Sequence, residues 1–117
     1  MTVKILLERK FKKEPTLDEI RIINELRITA MGKKGYVSGE TLVDMGDHCR
    51  IVVISVWAKK ADWDAWINSD ERRWIAAGLD DNLRQPPIIR CFMLGADYLG
   101  RVFDEVVHES ETAKAPA

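Results

Sequence analysis

The chain has 117 residues, the length of one domain. Its 18 lysines and arginines against 19 acidic residues leave a net charge of -1, which gives no electrostatic reason for a nucleic-acid or anionic-membrane partner. No apolar run reaches the ~18 residues that span a bilayer, and Cys49 and Cys91 are too few for a disulfide framework, so a reducing cytoplasm is the expected compartment.

Residues 3–11 read as a strand, with Val3, Ile5 and Leu7 alternating with Lys4 and Glu8. Charged Glu8 and Arg9 follow the apolar run at once, so the N-terminus reads as a strand rather than a signal peptide. Thr16 and Glu19 have the spacing of a capping box, in which each side chain satisfies a helix donor of the other. The helix they open runs to about Met31, with Leu17, Ile20, Ile23 and Ala30 along its apolar face and Gly32 available for a left-handed end. Tyr36–Val43 reads as a second strand and 44–47 as a turn. Residues 50–57 (RIVVISVW) are β-branched on both faces, as a central strand requires. A helix over 60–68 follows. Ser69 caps another, whose Ile75, Leu79 and Leu83 form an i, i+4, i+8 stripe before Pro86-Pro87 stops it. Residues 88–94 complete the strands.

The order β-α-β-β-α-β defines an α+β, ferredoxin-like domain over residues 1–95, with a four-stranded antiparallel sheet in the order 4-1-3-2. Residues 96–117 form an extension: Leu99, Val102, Phe103, Val106 and Val107 recur at helical spacing, and Glu109–Ala117 reads as a disordered tail. Alternation puts Leu6, Val52, Ile54, Val56, Ile89, Cys91 and Met93 on the sheet face opposite Ile5, Leu7, Ile51 and Val53; which set meets the helices is open at this point. One face is left bare, and a bare apolar face on such a domain marks an interface, here a homodimer through the sheet.

The segments GYVSGETL, VVISVW and WINSDERR, with a tryptophan-bearing helix before the last, resemble the antibiotic biosynthesis monooxygenase (ABM) domain. The resemblance covers about residues 3–94. It implies a dimeric α+β barrel and, for some members, cofactor-free oxygenation of a quinol or polyphenol. Another branch degrades haem with an asparagine on the first strand, a tryptophan on the helix after the third strand and a haem-ligating histidine. Trp66 matches the tryptophan, but Arg9 and Ala76 stand at the other two positions. Haem degradation is therefore not expected, and no cofactor is.

Within that frame Trp66 is the candidate wall for a planar substrate or, equally, a core anchor. Arg9, at the end of the Val3-Ile5-Leu7 row, is the candidate anion stabiliser, and a solvent-reaching end of strand is its other reading. Asn24, one residue past Ile23, is the candidate orienting amide. Trp57 and Trp63 read as core; Trp74 reads as half exposed, cleft-lining or partner-facing. Arg72 and Arg73 read as a solvated face. His48, Cys49, Cys91 and His108 lack ligand spacing, and the two cysteines sit on strands separated by the first, roughly 9–10 Å apart, so neither metal nor thiol chemistry is expected. The catalytic base is not identified by the sequence. The expected function is cofactor-independent oxygenation of a small aromatic or quinol-type molecule in a pocket between helices and sheet; the alternative is a non-catalytic ligand-binding or interaction module on the same fold.

Overall fold

The computed structural model describes residues 1–114. Its elements are β1 (Val3–Lys10), α1 (Leu17–Met31), β2 (Tyr36–Val43), β3 (Arg50–Trp57), α2 (Lys60–Ile67), α3 (Asp70–Ala76), a 3₁₀ helix (Ala77–Asn82), β4 (Ile88–Met93) and α4 (Gly95–Lys114). The strands lie in the order β2-β3-β1-β4, every neighbouring pair antiparallel. This is the ferredoxin-like α+β arrangement expected, 4-1-3-2 read from the other edge.

Local chemistry accounts for the helix boundaries. The Glu19 N–H donates to Thr16 Oγ1 at 3.2 Å and the Thr16 N–H to Glu19 Oε1 at 3.0 Å, closing the capping box. Ser69 Oγ likewise accepts from the Arg72 N–H at 3.2 Å and starts α3. Two details differ from the sequence reading. The inward face of α1 is Ile23, Leu26 and Ala30, whereas Leu17 and Ile20 are 64% and 50% exposed. Gly32 ends α1 in a right-handed conformation, and the left-handed residue is Gly35, at φ 83°. The Ile75-Leu79-Leu83 stripe does meet the core, but the helix carrying it is split at Ala77. Gly78 follows the split, where an added Cβ would stand 2.6 Å from the terminal methyl of Ile22 on α1, and glycine weakens a helix.

The buried face of the sheet carries Val3, Ile5, Leu7 and Arg9 from β1 and Ile51, Ser55 and Trp57 from β3. Leu6, Val52, Ile54 and Val56 are half-buried on the other face, joined at its margins by Leu42 and Phe92, 43% and 50% exposed. The register corrects the assignment of β4: Ile89, Cys91 and Met93 pair with Leu7, Ile5 and Val3, so they share the helix-side face, and Phe92 and Ile88 occupy the open one. Alternation within a strand is legible in sequence, but a one-residue change of phase against its neighbour exchanges the faces. Cys49 and Cys91 are also farther apart than expected. The Phe11 N–H donates to the Cys49 carbonyl while Cys91 pairs with Ile5, a separation of roughly 20 Å along β1 at ~3.3 Å per residue.

The extension is one long helix. The disordered tail expected at Glu109–Ala117 is helical as far as Lys114, because no proline or glycine occurs between Arg101 and Lys114; residues 115–117 lie outside the described residues. α4 gives the chain a length of 66 Å and a radius of gyration of 18.9 Å, against ~13 Å for a compact chain of this size. Leu99, Val102 and Val106 on it are 38%, 50% and 55% exposed. Among the described residues no helix is long and apolar enough to cross a membrane.

Gly35 offers a test of the α1–β2 connection. An added Cβ there would meet Asp62 Oδ2 at 2.1 Å in a left-handed backbone, next to the bond from the Ala58 N–H to the Gly35 carbonyl at 2.7 Å. Gly35→Ala is expected to lower the free energy of unfolding by about 2 kcal/mol or more, read from urea denaturation midpoints at constant slope.

Candidate functional site

Between the helices and the sheet lies a cavity of about 60 Å³. β1 contributes Leu7 and Arg9, and β3 contributes Val53, Ser55 and Trp57; these are alternate residues of each strand and so share one face. Ile23, Leu26 and Ala30 of α1 form the roof, Trp63 and Trp66 of α2 one side, and Arg72 of α3 the end. Arg27, Glu40 and Thr41 complete the lining, and Arg27 and Glu40 are exposed.

The aromatic side is built around Trp57, which is fully buried. Its ring meets Tyr36 edge-on, with centroids 5.4 Å apart and planes at 88°, and Trp63 at 5.9 Å and 63°. Such contacts place the positive edge of one ring on the negative face of another. Its indole N–H donates to Ser55 Oγ at 3.0 Å, which satisfies both buried polar groups two residues apart on one strand face. Tyr36 reaches over Gly39: a Cβ on Gly39 would stand 2.4 Å from the phenolic oxygen. The missing side chain lets the hydroxyl lie against the cavity wall. Trp66 is 5% exposed and is covered on its outer side by Lys33, whose ammonium is 5.8 Å from the ring centroid and is held by Glu71 at 2.5 Å.

Arg9 closes the apolar row of β1 and is only 3% exposed. Among the described residues it forms no hydrogen bond or salt bridge. No fully buried side-chain nitrogen in those residues lacks a partner, so its guanidinium nitrogens are the atoms that meet the cavity space. Its pKa is lowered to about 10, first by burial and then by the neighbouring Arg72 charge, while Asp80 acts in the opposite direction. Arg72, half-buried, is lowered by burial as well. Both arginines also line a second, more open space of about 360 Å³ bounded by Ala76, Leu79, Asp80, Leu83 and Pro87. They therefore form the wall between an aromatic chamber and a polar one. Arg73, also at the second space, is paired with Asp70 at 3.1 Å.

Of the residues singled out from the sequence, the structure brings Trp66 and Arg9 together and leaves Asn24 apart. Asn24 is exposed and lines neither space, because a helical step of 100° from Ile23 turns it out of the Ile23-Leu26-Ala30 face. Trp63 is both core and cavity wall, and Trp74 is 86% exposed. Ala76 puts a methyl group on the second space, at the position where the haem-degrading branch would carry its histidine. His48 lies at the surface beside Glu14, 3.5 Å away. Two site residues were not singled out as such. Arg72 reads as a surface residue in sequence and reaches the cavity only because α3 starts at Ser69 and leans on α1; Tyr36 reads as a strand end, its one signal being the glycine three residues on.

No family model matches the chain, and no curated protein matches it by sequence. Its likeness is to solved structures. A conserved protein from Methanosarcina mazei Go1 superposes with a TM-score of 0.71 at 14% identity, over 79% of this chain and 91% of that one. A structure described as an antibiotic biosynthesis monooxygenase gives 0.70 at 16%, over 78% and 96%. SnoaB, a cofactor-independent oxygenase from Streptomyces nogalater, gives 0.70 at 13%, over 79% and 91%. The chain thus has the fold of the antibiotic biosynthesis monooxygenases, as its resemblance to them implied, and at these identities the likeness is one of fold.

A buried, unpaired cation weakens the fold that holds it. Because the folded pKa of Arg9 lies below its unfolded value, that cost is present throughout the neutral range and lifts only as pH rises through about 10. Arg9→Met is expected to raise the free energy of unfolding at pH 7 by about 1 kcal/mol or more, measured by urea denaturation. A loss of stability instead would assign Arg9 a structural role.

Proposed function

We propose that the chain is an ABM-like, cofactor-independent monooxygenase acting on a small aromatic or quinol-type molecule in the cavity between helices and sheet. The observation that carries this reading is that a desolvated Arg9, with no hydrogen bond or salt bridge among the described residues, lines the same cavity as Trp57, Trp63 and Trp66. A planar, electron-rich ring suits the wall, and its developing oxyanion suits the guanidinium. The ring carbon of a phenolate gives electrons to dioxygen and forms a carbon–oxygen bond as a hydroperoxide. Loss of water breaks the O–O bond and leaves a quinone carbonyl. One oxygen atom enters the substrate and the other leaves in water, so the four electrons come from the substrate and no cofactor enters the sum.

The proton of the phenol is the demanding step, since no imidazole lines the cavity and Glu40 is exposed at the rim, on the residue paired with open-face Ile54. Two adjacent guanidinium groups lower the pKa of a bound phenol, so the substrate enters the reaction as its own anion. The same lack of an inner base favours a second reading, a non-catalytic small-ligand-binding module.

We read residues 1–95 as the ABM-like domain and 96–117 as an extension. The open face, with Leu6, Val52, Ile54 and Val56 at its centre, supports a homodimer formed sheet to sheet. The free thiols of Cys49 and Cys91 suit a cytoplasmic setting.

Oxygen uptake with a panel of one-ring quinols is expected for the native protein, and Trp66→Ala is expected to reduce kcat/KM by at least about tenfold. Uptake unaffected by the substitution would remove the proposed site, and saturable binding without uptake would favour the binding module. Ile54→Asp is expected to halve the mass seen in sedimentation, because an unpaired carboxylate would be buried at the centre of the sheet interface.

A further inference from the structure

The desolvated face shared by Arg9 and Arg72 has two like charges and no hydrogen-bonded carboxylate among the described residues. Asp80 is the one acidic side chain near enough to oppose the desolvation of Arg9, and it lies on the exposed side of the second space. Arg73, the other cation there, is already paired. A pair of guanidinium groups with no hydrogen-bonded carboxylate, against low-dielectric walls, is an arrangement completed by an anion from outside.

We propose that Arg9 and Arg72 form a carboxylate seat at the junction of the two spaces, and that the ligand is a one-ring aromatic acid whose ring enters the tryptophan-lined cavity. This rests on the reading of that cavity as the substrate site and narrows the substrate class. The size of the cavity limits the ring count: at about 60 Å³ it is below the ~150 Å³ of an apolar cavity that takes a benzene, so one ring enters only in part, with its charged end in the mouth, and a fused polycycle does not fit. The fork of donors on each guanidinium selects the charged group, because a planar fork matches the two oxygens of a carboxylate, and the ten N–H donors of the pair leave others to a phenol oxygen of the same ligand. The ring then occupies the space walled by Trp57, Trp63 and Trp66, so its entry changes their emission.

The test is a titration of the full chain at pH 7 with 4-hydroxybenzoate, its neutral isostere 4-hydroxybenzamide and inorganic phosphate, followed by tryptophan fluorescence and calorimetry. The acid is expected to bind at least tenfold more tightly than the amide and than phosphate. Arg72→Gln, at a half-buried position that tolerates an uncharged side chain, is expected to bring the acid-to-amide ratio towards one, and Arg9→Met to do the same. Equal binding of acid and amide by the native protein would overturn the proposal. So would phosphate binding as tight as that of the acid, or an acid-to-amide ratio unchanged by Arg72→Gln. Oxygen uptake is scored separately. Tight acid binding without uptake of any aromatic leaves the seat standing and ends the oxygenase reading; uptake of neutral quinols with no preference for acids does the reverse.

Discussion

The rest of the site follows from one desolvated cation. Arg9 continues the alternation of Val3, Ile5 and Leu7 and so points where an apolar residue would, under the helices. Its desolvation costs several kcal/mol unless an anion or water compensates it. That is of the same order as what the aromatic cluster contributes, since each edge-to-face contact of Trp57 is worth about 0.5–1.5 kcal/mol beyond the area it buries. The fold can hold such a cation because Trp57 is fully buried and hydrogen-bonded to Ser55 towards one end of β1, and because Leu79 and Phe11, at 1% and 0% exposure, are buried near the Arg9 end.

Around that cation the two halves of the molecule serve different ends. The β1–β3 pairing is continuous over eight residues, from Val3 opposite Trp57 to Lys10 opposite Arg50, and makes a rigid floor. The α3 segment is short, passes into a 3₁₀ turn and carries Arg72, Ala76 and Leu79 along the second space. A rigid aromatic chamber beside a less regular polar one is a common way to fix a ring while admitting a charged group. Apart from Glu40 at the rim, the other face of the sheet and the described residues of the long α4 take no part in either space.

Several features were legible because they depend on neighbours in sequence. The capping box of Thr16 and Glu19, the Ser69 cap, the β-branched run of 50–57 and the strand order all appear where local chemistry puts them. Trp66 and Arg9 were legible as inward-facing residues because each continues a periodic face. Asn24 was not placed correctly, since a single helical step separates inward from outward and the phase of α1 is set by Ile23, Leu26 and Ala30 packing on the sheet rather than by its first turn. The phase of β4 was missed for the same reason: pairing with β1, rather than the pattern within IIRCFML, puts Cys91 beside Ile5.

By itself the sequence determined the order of elements, their caps and the ferredoxin-like class, because these are set by propensity, periodicity and turn chemistry within about ten residues. Only the tertiary structure decided that Arg9 is desolvated, that Arg72 stands beside it and that the two divide one space from another. Burial and charge coupling are properties of residues far apart in the chain: Arg9 and Arg72 are separated by most of the domain, and neither one's environment exists until α3 packs against α1.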